Sequence, residues 1–279
     1  MIDIDASVAE VMTQGFHIPP RPETLMRLQE ISSSDDPSLA DIAQVVAADV
    51  GLSSAILKTV NSPFYGLTRS ITNIHQAVSL LGMESVNSLA ASVELKRALT
   101  GNACISLERF WDNATDVANS MVYIGSRLKE NFSLETLYTV GLFHDCGIPA
   151  MAIRYPDYRL TLIDANDSTE QTLSQIEEAK HGTNHSIIGY YIAASWHLPE
   201  CLCELILQHH EADYLEHITG KEDQLVYAIL KMAENIVDRT RRFRDAQDWQ
   251  QLQHRVLDTM GLNVLEYSDI EEDLSELLS

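Results

Sequence analysis

The stretch Val140-Gly141-Leu142-Phe143-His144-Asp145-Cys146-Gly147 decides the reading of this chain, because an imidazole and a carboxylate stand side by side in an otherwise apolar, small-residue segment. Burying such a carboxylate without a partner is costly, so the pair needs an ion or a hydrogen-bonding neighbour. Adjacent His and Asp donors suit a hard-to-borderline divalent cation such as Fe, Mn or Zn. Further imidazoles stand downstream at His185 and in the doublet His209-His210. The competing reading is a hydrogen-bonded buried His-Asp pair that ties helices together and holds no ion.

Outward from that stretch the periodicity is helical. Leu25, Leu28 and Ile31 form a stripe after Pro22, and Ser38 is placed to cap a helix carrying Leu39, Ile42, Val45 and Val46. Leu52, Ile56, Leu57 and Val60 share a face that Asn61-Ser62-Pro63 ends. From Asn73 the positions Ile74, Ala77, Val78 and Leu81 predict a helix ended by Gly82, with another over 84–99. Further helical patterns lie near 107–130, 133–153, 184–196, 199–209, 223–239 and 261–276, joined by segments rich in Pro, Gly, Asp and Ser. Strict two-residue alternation is absent, so the expected class is all-α, a multi-helix bundle. Gly101-Asn102 reads as a seam between an N-terminal helical part, 1–105, and a helical core with C-terminal helices, 106–279.

Composition narrows the function. The formal charge is −22, from 19 basic and 41 acidic side chains, which repels polyanions and excludes nucleic acid as an expected partner. No apolar run approaches the ~20 residues of a spanning helix, and the opening Met1-Ile2-Asp3-Ile4-Asp5 is acidic where a signal peptide is basic. The expectation is a cytoplasmic protein without a membrane partner. Cys104, Cys146, Cys201 and Cys203 lack Cys-x-x-Cys spacing and are expected to be reduced thiols. The one basic cluster, Arg239-Thr240-Arg241-Arg242-Phe243-Arg244, falls where a helix from about Gln224 would end, a position that favours cations. The acidic stretch from Glu266 to Glu276 reads as a solvated helix face that could lie near those arginines.

Among the histidines, His17, His75, His217 and His254 read as surface or hydrogen-bonded residues, and His181 as a loop residue. His185 reads as the start of a helix capped by Thr183 or Asn184, continued by Ile187, Ile188, Tyr191 and Ile192. His209-His210 closes the helix that begins at Glu200.

Several blocks then resemble the HD-related output domain (HDOD) family, a branch of the HD metal-dependent phosphohydrolase superfamily. They are Ile18-Pro19-Pro20-Arg21-Pro22, Ala48-Asp49-Val50-Gly51-Leu52, Asn61-Ser62-Pro63-Phe64-Tyr65-Gly66 and Ala77-Val78-Ser79-Leu80-Leu81-Gly82 in the first half. Phe110-Trp111, Gly141 to Asp145, Asn184-His185 through Gly189, Trp196-His197-Leu198-Pro199 and His209-His210 follow in the second. The resemblance spans roughly 15–240 and implies an HD-like helical core behind an N-terminal helical subdomain. In catalytic HD proteins a histidine of the first core helix, the His-Asp pair and a later aspartate hold a metal that activates water against a phosphoester. The matching positions here are Asn113, His144, Asp145 and Glu234, so two of the four are altered. Both changes loosen the set, because Asn is uncharged and Glu is one methylene longer than Asp; Asp116, one turn beyond Asn113, is a possible substitute. No Gly-Tyr-Pro segment follows the doublet, which continues Glu211-Ala212-Asp213-Tyr214-Leu215, and this speaks against cyclic-dinucleotide hydrolysis.

Two functional expectations follow. The first is a non-catalytic regulatory or output module of bacterial signal transduction with a degenerate HD pocket that holds a divalent metal or none, acting through a protein partner. The second is a metal-dependent phosphohydrolase in which His144, Asp145, His185, His209 and His210, with weaker support from Asn113 and Glu234, hold metal, and Asp145 serves the reaction. Asn61 to Gly66 reads either as a helix-ending turn or as a docking corner.

Overall fold

The computed structural model describes residues 15–278 apart from His17, 62–66, 131–132, 169–170 and Ala212. Helices α1 (Glu23–Ser32), α2 (Leu39–Ala48), α3 (Val50–Val60) and α4 (Ile74–Ala98) come first. They are followed by α5 (Leu107–Arg127), α6 (Leu134–Phe143), α7 (Gly147–Arg154), α8 (Tyr158–Asp167) and α9 (Leu173–His181). The chain ends with α10 (His185–Ser195), α11 (Glu200–Gln208), the single turn α12 (Tyr214–His217), α13 (Lys221–Arg242), α14 (Trp249–Met260) and α15 (Val264–Leu278). No strand occurs among the described residues, so the protein is all-α. None of the described helices is by itself long and apolar enough to cross a membrane.

Polar caps start most of these helices. Ser38 accepts from the Asp41 amide, Asp49 from Leu52, Asn73 from His75 and Gln76, Ser133 from Thr136 and Asn184 from Ile187, each satisfying amides that lack a partner within the helix. Gly82, at φ +79°, breaks the direction of α4, as its position after Leu81 predicts. Asn61 ends α3 as a structural clasp: its side-chain amide donates to the carbonyls of Leu57 and Ile71 at 2.8 and 2.7 Å, and its oxygen accepts from the Ile71 amide. Residues 62–66 of that motif lie outside the described residues.

Two apolar cores result. Leu28, Ile42, Val46, Leu52, Ile56, Val60, Val78 and Val86 pack among α1–α4. The larger core gathers Val117, Met121, Phe143, Ile188, Trp196, Ile206, Tyr227 and Ile236 from the later helices. Helix α4 passes from one into the other, with Leu89 in the first and Leu95 in the second. The N-terminal segment is also woven into the later helices, since the Trp196 indole donates to the Pro19 carbonyl at 2.9 Å.

Three expectations are corrected. The pattern over 133–153 is two helices, broken at His144-Asp145-Cys146, because Gly147 must bring the start of α7 against α10: a Cβ there would overlap the His185 carbonyl. The polar stretch after residue 155 contains α8 and α9, with the Thr172–Gln175 capping box starting the latter, and His181 is the last helical residue rather than a loop residue. The region after the basic cluster also holds α14, whose Trp249, Leu252, Val256 and Met260 are buried. In each case tertiary burial organises a segment whose polar residues read as connection.

Candidate metal centre

Four elements deliver the site. His144 and Asp145 sit at the break between α6 and α7, His185 opens α10, His209 and His210 follow α11, and Glu234 lies on α13. Helix α6 approaches α5 closely enough that a Cβ at Gly141 would stand 2.5 Å from the Ala118 Cα, so only glycine permits the contact that sets His144 in place.

The imidazoles are oriented by their far nitrogens. His144 Nδ1 donates to the Gly141 carbonyl at 2.7 Å, and His209 Nδ1 to the Ile206 carbonyl at 2.8 Å. His185 Nδ1 donates to Glu177 Oε2 at 2.6 Å. With Nδ1 engaged in this way, each Nε2 turns inward, the arrangement by which outer partners orient imidazole ligands. Asp145 Oδ1 lies 3.3 Å from both His185 Nε2 and His209 Nε2, and His185 Nε2 lies 3.0 Å from His210 Nε2. Donor atoms of Asp145, His185, His209 and His210 all fall within 4.8 Å of one another. Those separations approach the edge of about 3.3 Å expected for a tetrahedron with metal–ligand bonds near 2.0 Å. The donor set therefore fits a divalent cation and is compatible with Fe, Mn or Zn. His144 completes the group from one side, its Nε2 3.4 Å from Asp145 Oδ2 and 3.6 Å from Glu234 Oε1.

Charge is balanced by pairs. Burial opposes protonation of His185, but Glu177 and Asp145 outweigh it and raise its pKa to about 10. His144 is likewise raised against burial by Asp145 and Glu234, whereas burial and the neighbouring His209, Lys231 and His185 push His210 well below its usual value. Burial would lift Asp145, yet His144, His185 and His209 hold its carboxyl well below the usual range. Lys231, almost wholly buried, bridges Glu234 at 2.9 Å and Asp248 at 2.8 Å, so its charge is spent inside the protein.

Not every sequence candidate joins the group. The Asn113 side chain is half-buried on α5 and makes no hydrogen bond with another described residue. Asp116, the possible substitute, is held by Arg241 at 2.8 Å. His181 stacks on Tyr155 at 4.3 Å and pairs with the Thr161 hydroxyl, and His17 lies outside the described residues. Sequence reasoning missed Glu177, a fully buried carboxylate that also accepts from the His185 amide and from the Tyr158 hydroxyl. The signal available was an acid beside Ile176 in a segment started by a Thr-x-x-Gln capping box.

An all-helical bundle that turns a His-Asp pair and three later histidines onto one point is the architecture of an HD-like domain. The HDOD domain model matches residues 18–212, and the chain belongs to that family. A crystal structure described as an HDOD domain protein with unknown function from Geobacter sulfurreducens superposes with a TM-score of 0.71 at 21% identity, covering 99% of this chain and 98% of that one. The "Putative metal-dependent phosphohydrolase" of Shewanella amazonensis gives 0.68 at 18% identity with the same coverage. The "Putative signal transduction protein" of Marinobacter aquaeolei gives 0.70 at 21% identity, covering 99% of this chain and 64% of that one. These likenesses establish the fold. An uncharacterized protein of Treponema pallidum is 25% identical over 193 residues, 69% of this chain but only 37% of that longer protein.

Proposed function

We propose that this protein is a regulatory module of bacterial signal transduction, one that holds a divalent cation in its HD-like pocket without turnover and acts on a protein partner in the cytoplasm. The observation that carries this reading is the state of the charges around the cluster. Asp145, Glu177, Glu234 and Asp248 surround it, Lys231 is already bound by two of them, Asn113 brings no charge, and Asp116 is engaged by Arg241. A phosphoester needs cationic groups aimed at its oxygens in the transition state, and among the described residues the buried cationic groups beside this cluster, Lys231, His144 and His185, each already face a carboxylate.

Asp145, His185, His209 and His210 would hold the ion, with His144 and Glu234 beside it. A bound metal of this kind supplies Lewis acidity and a lowered pKa for water in an enzyme, or rigidity in a module. The chain's own contribution is orientation: Gly141, Ile206 and Glu177 fix the rings, and Glu177 does so from full burial.

One observation favours the phosphohydrolase reading. The Asp145 side chain retains 25% exposure, so solvent reaches the edge of the cluster. The test is metal content by plasma mass spectrometry on protein purified without chelator or nickel, beside a His144→Ala, Asp145→Ala double variant, followed by a phosphoester screen of the loaded protein. Near-stoichiometric metal, lost in the variant and inactive in the screen, is the expected result. Metal-dependent turnover would replace this reading with the enzyme, and absence of metal from the unaltered protein would leave the pocket as a hydrogen-bonded lock.

A further inference from the structure

A cavity of about 860 Å³ opens between the early and later helices, and none of the clustered histidines lines it. Its size falls in the range of about 300–1,000 Å³ typical of small-molecule sites. Helices α3 and α4 contribute Lys58, Val93 and Lys96, while α5 and α6 contribute Thr115, Asn119 and Tyr138.

The cations of this cavity differ from one another in their partners. Arg97 at its edge is bound by Asp49 and Glu94, at 2.5 and 2.7 Å. Lys58 and Lys96 have no ion pair among the described residues; the Lys96 ammonium is half-buried and donates to the Thr115 hydroxyl at 2.8 Å. Burial pushes the Lys96 pKa down and Lys58 adds to that, while Asp112 on the same wall opposes it. Two ammonium groups facing one cavity are an uncommon expenditure in a chain with 19 basic residues against 41 acidic ones. Tyr138 supplies a half-buried ring, and its hydroxyl finds no hydrogen-bond partner among the described residues. The remaining lining is largely apolar, with Val93, Leu89, Val122, Leu134 and Leu142 among it.

We propose that this cavity is a nucleotide site: Lys58 and Lys96 take the phosphate, and the base lies on the apolar floor beside Tyr138, reaching its hydroxyl. The chemistry required is a phosphate joined to a flat, mostly apolar body with polar edges. An inorganic anion would leave the floor and the tyrosine unused, and an uncharged ring would leave the two ammonium groups unanswered. Helix α6 runs from this cavity, where Tyr138 and Leu142 line it, directly to His144 and Asp145, so an occupant would bear on the segment that positions the histidine cluster.

The test is isothermal titration calorimetry of the full chain with AMP and GMP, beside adenosine, guanosine and inorganic phosphate. At least one nucleotide is expected to bind at least tenfold more tightly than its nucleoside and than phosphate. Lys96→Gln and Lys58→Gln should each weaken it several-fold; Lys58 is exposed, so its variant keeps the fold and remains informative if Lys96→Gln does not. Lys180→Gln, at an exposed lysine of α9 outside the lining, should leave nucleotide affinity unchanged, which separates this site from a general loss of positive charge. Binding of no nucleotide, binding indifferent to both lysines, equal binding of phosphate alone, or an equal loss of binding in Lys180→Gln would each overturn the assignment.

Discussion

The two cores of this molecule are built on different principles. The core of α1–α4 is an aliphatic interior, with Leu28, Ile42, Leu52, Ile56 and Val60 wholly buried. The core of the later helices buries Glu177, His144, His185, His209, Lys231 and Asn235 among its apolar residues. An aliphatic core depends on volume, because a changed methylene leaves a gap or a clash. A core with buried charges depends on pairing, because each ion has lost its hydration and survives only beside its partner. The difference marks where the later half has given up packing efficiency for a polar constellation.

The sharpest way to break this comparison is a pair of substitutions that nearly conserve volume. Lys231→Met keeps the stem but strands Glu234 and Asp248, and is expected to cost about 3–5 kcal/mol in urea denaturation. Leu28→Met in the aliphatic core is expected to cost less than about 1.5 kcal/mol. Equal losses would mean that charge does not distinguish the two cores. Next in size is Glu177→Gln, which removes the carboxylate behind His185 while keeping a hydrogen-bond acceptor. Zinc affinity, measured by competition with a chromophoric chelator, should fall roughly 10–100-fold, and an unchanged affinity would show that Glu177 serves packing alone.

The smallest expected effect lies in the first half. Asp49 caps α3 and binds Arg97, and those contacts hold its carboxyl well below the ordinary value. Asp49→Ala should cost about 1 kcal/mol near neutral pH. Since the folded pKa is the depressed one, that contribution is present above the ordinary carboxylate value of 3.8 and is lost as the pH falls toward the folded value. Stability curves of the two proteins should therefore converge on acidification, and a gap that widens instead would assign the effect to something other than the carboxylate.

Local signals read well wherever they were sufficient in themselves. The caps at Ser38 and Asn184, the break at Gly82 and the end of α3 at Asn61 all follow from side chains acting on neighbouring amides and carbonyls. The basic cluster does sit at the end of α13, and Arg239 meets Glu271 of the acidic stretch at 2.7 Å. Helices α8, α9 and α14 were not legible, because their polar composition favours connection and only burial against other helices selects the helical state.

By itself, then, the order of residues determined the all-α class, the caps, and a set of imidazoles beside one His-Asp pair, since these depend on periodicity and on hydrogen bonds a few residues long. Only the tertiary structure decided which of those groups meet. It brought Glu177 behind His185, gave Asp116 to Arg241 across 125 positions, closed Lys231 between Glu234 and Asp248, and set Lys58 and Lys96 at one cavity with no ion pair among the described residues. Such pairings rest on distances of a few ångströms between helices far apart in the chain, and packing sets those distances where periodicity cannot.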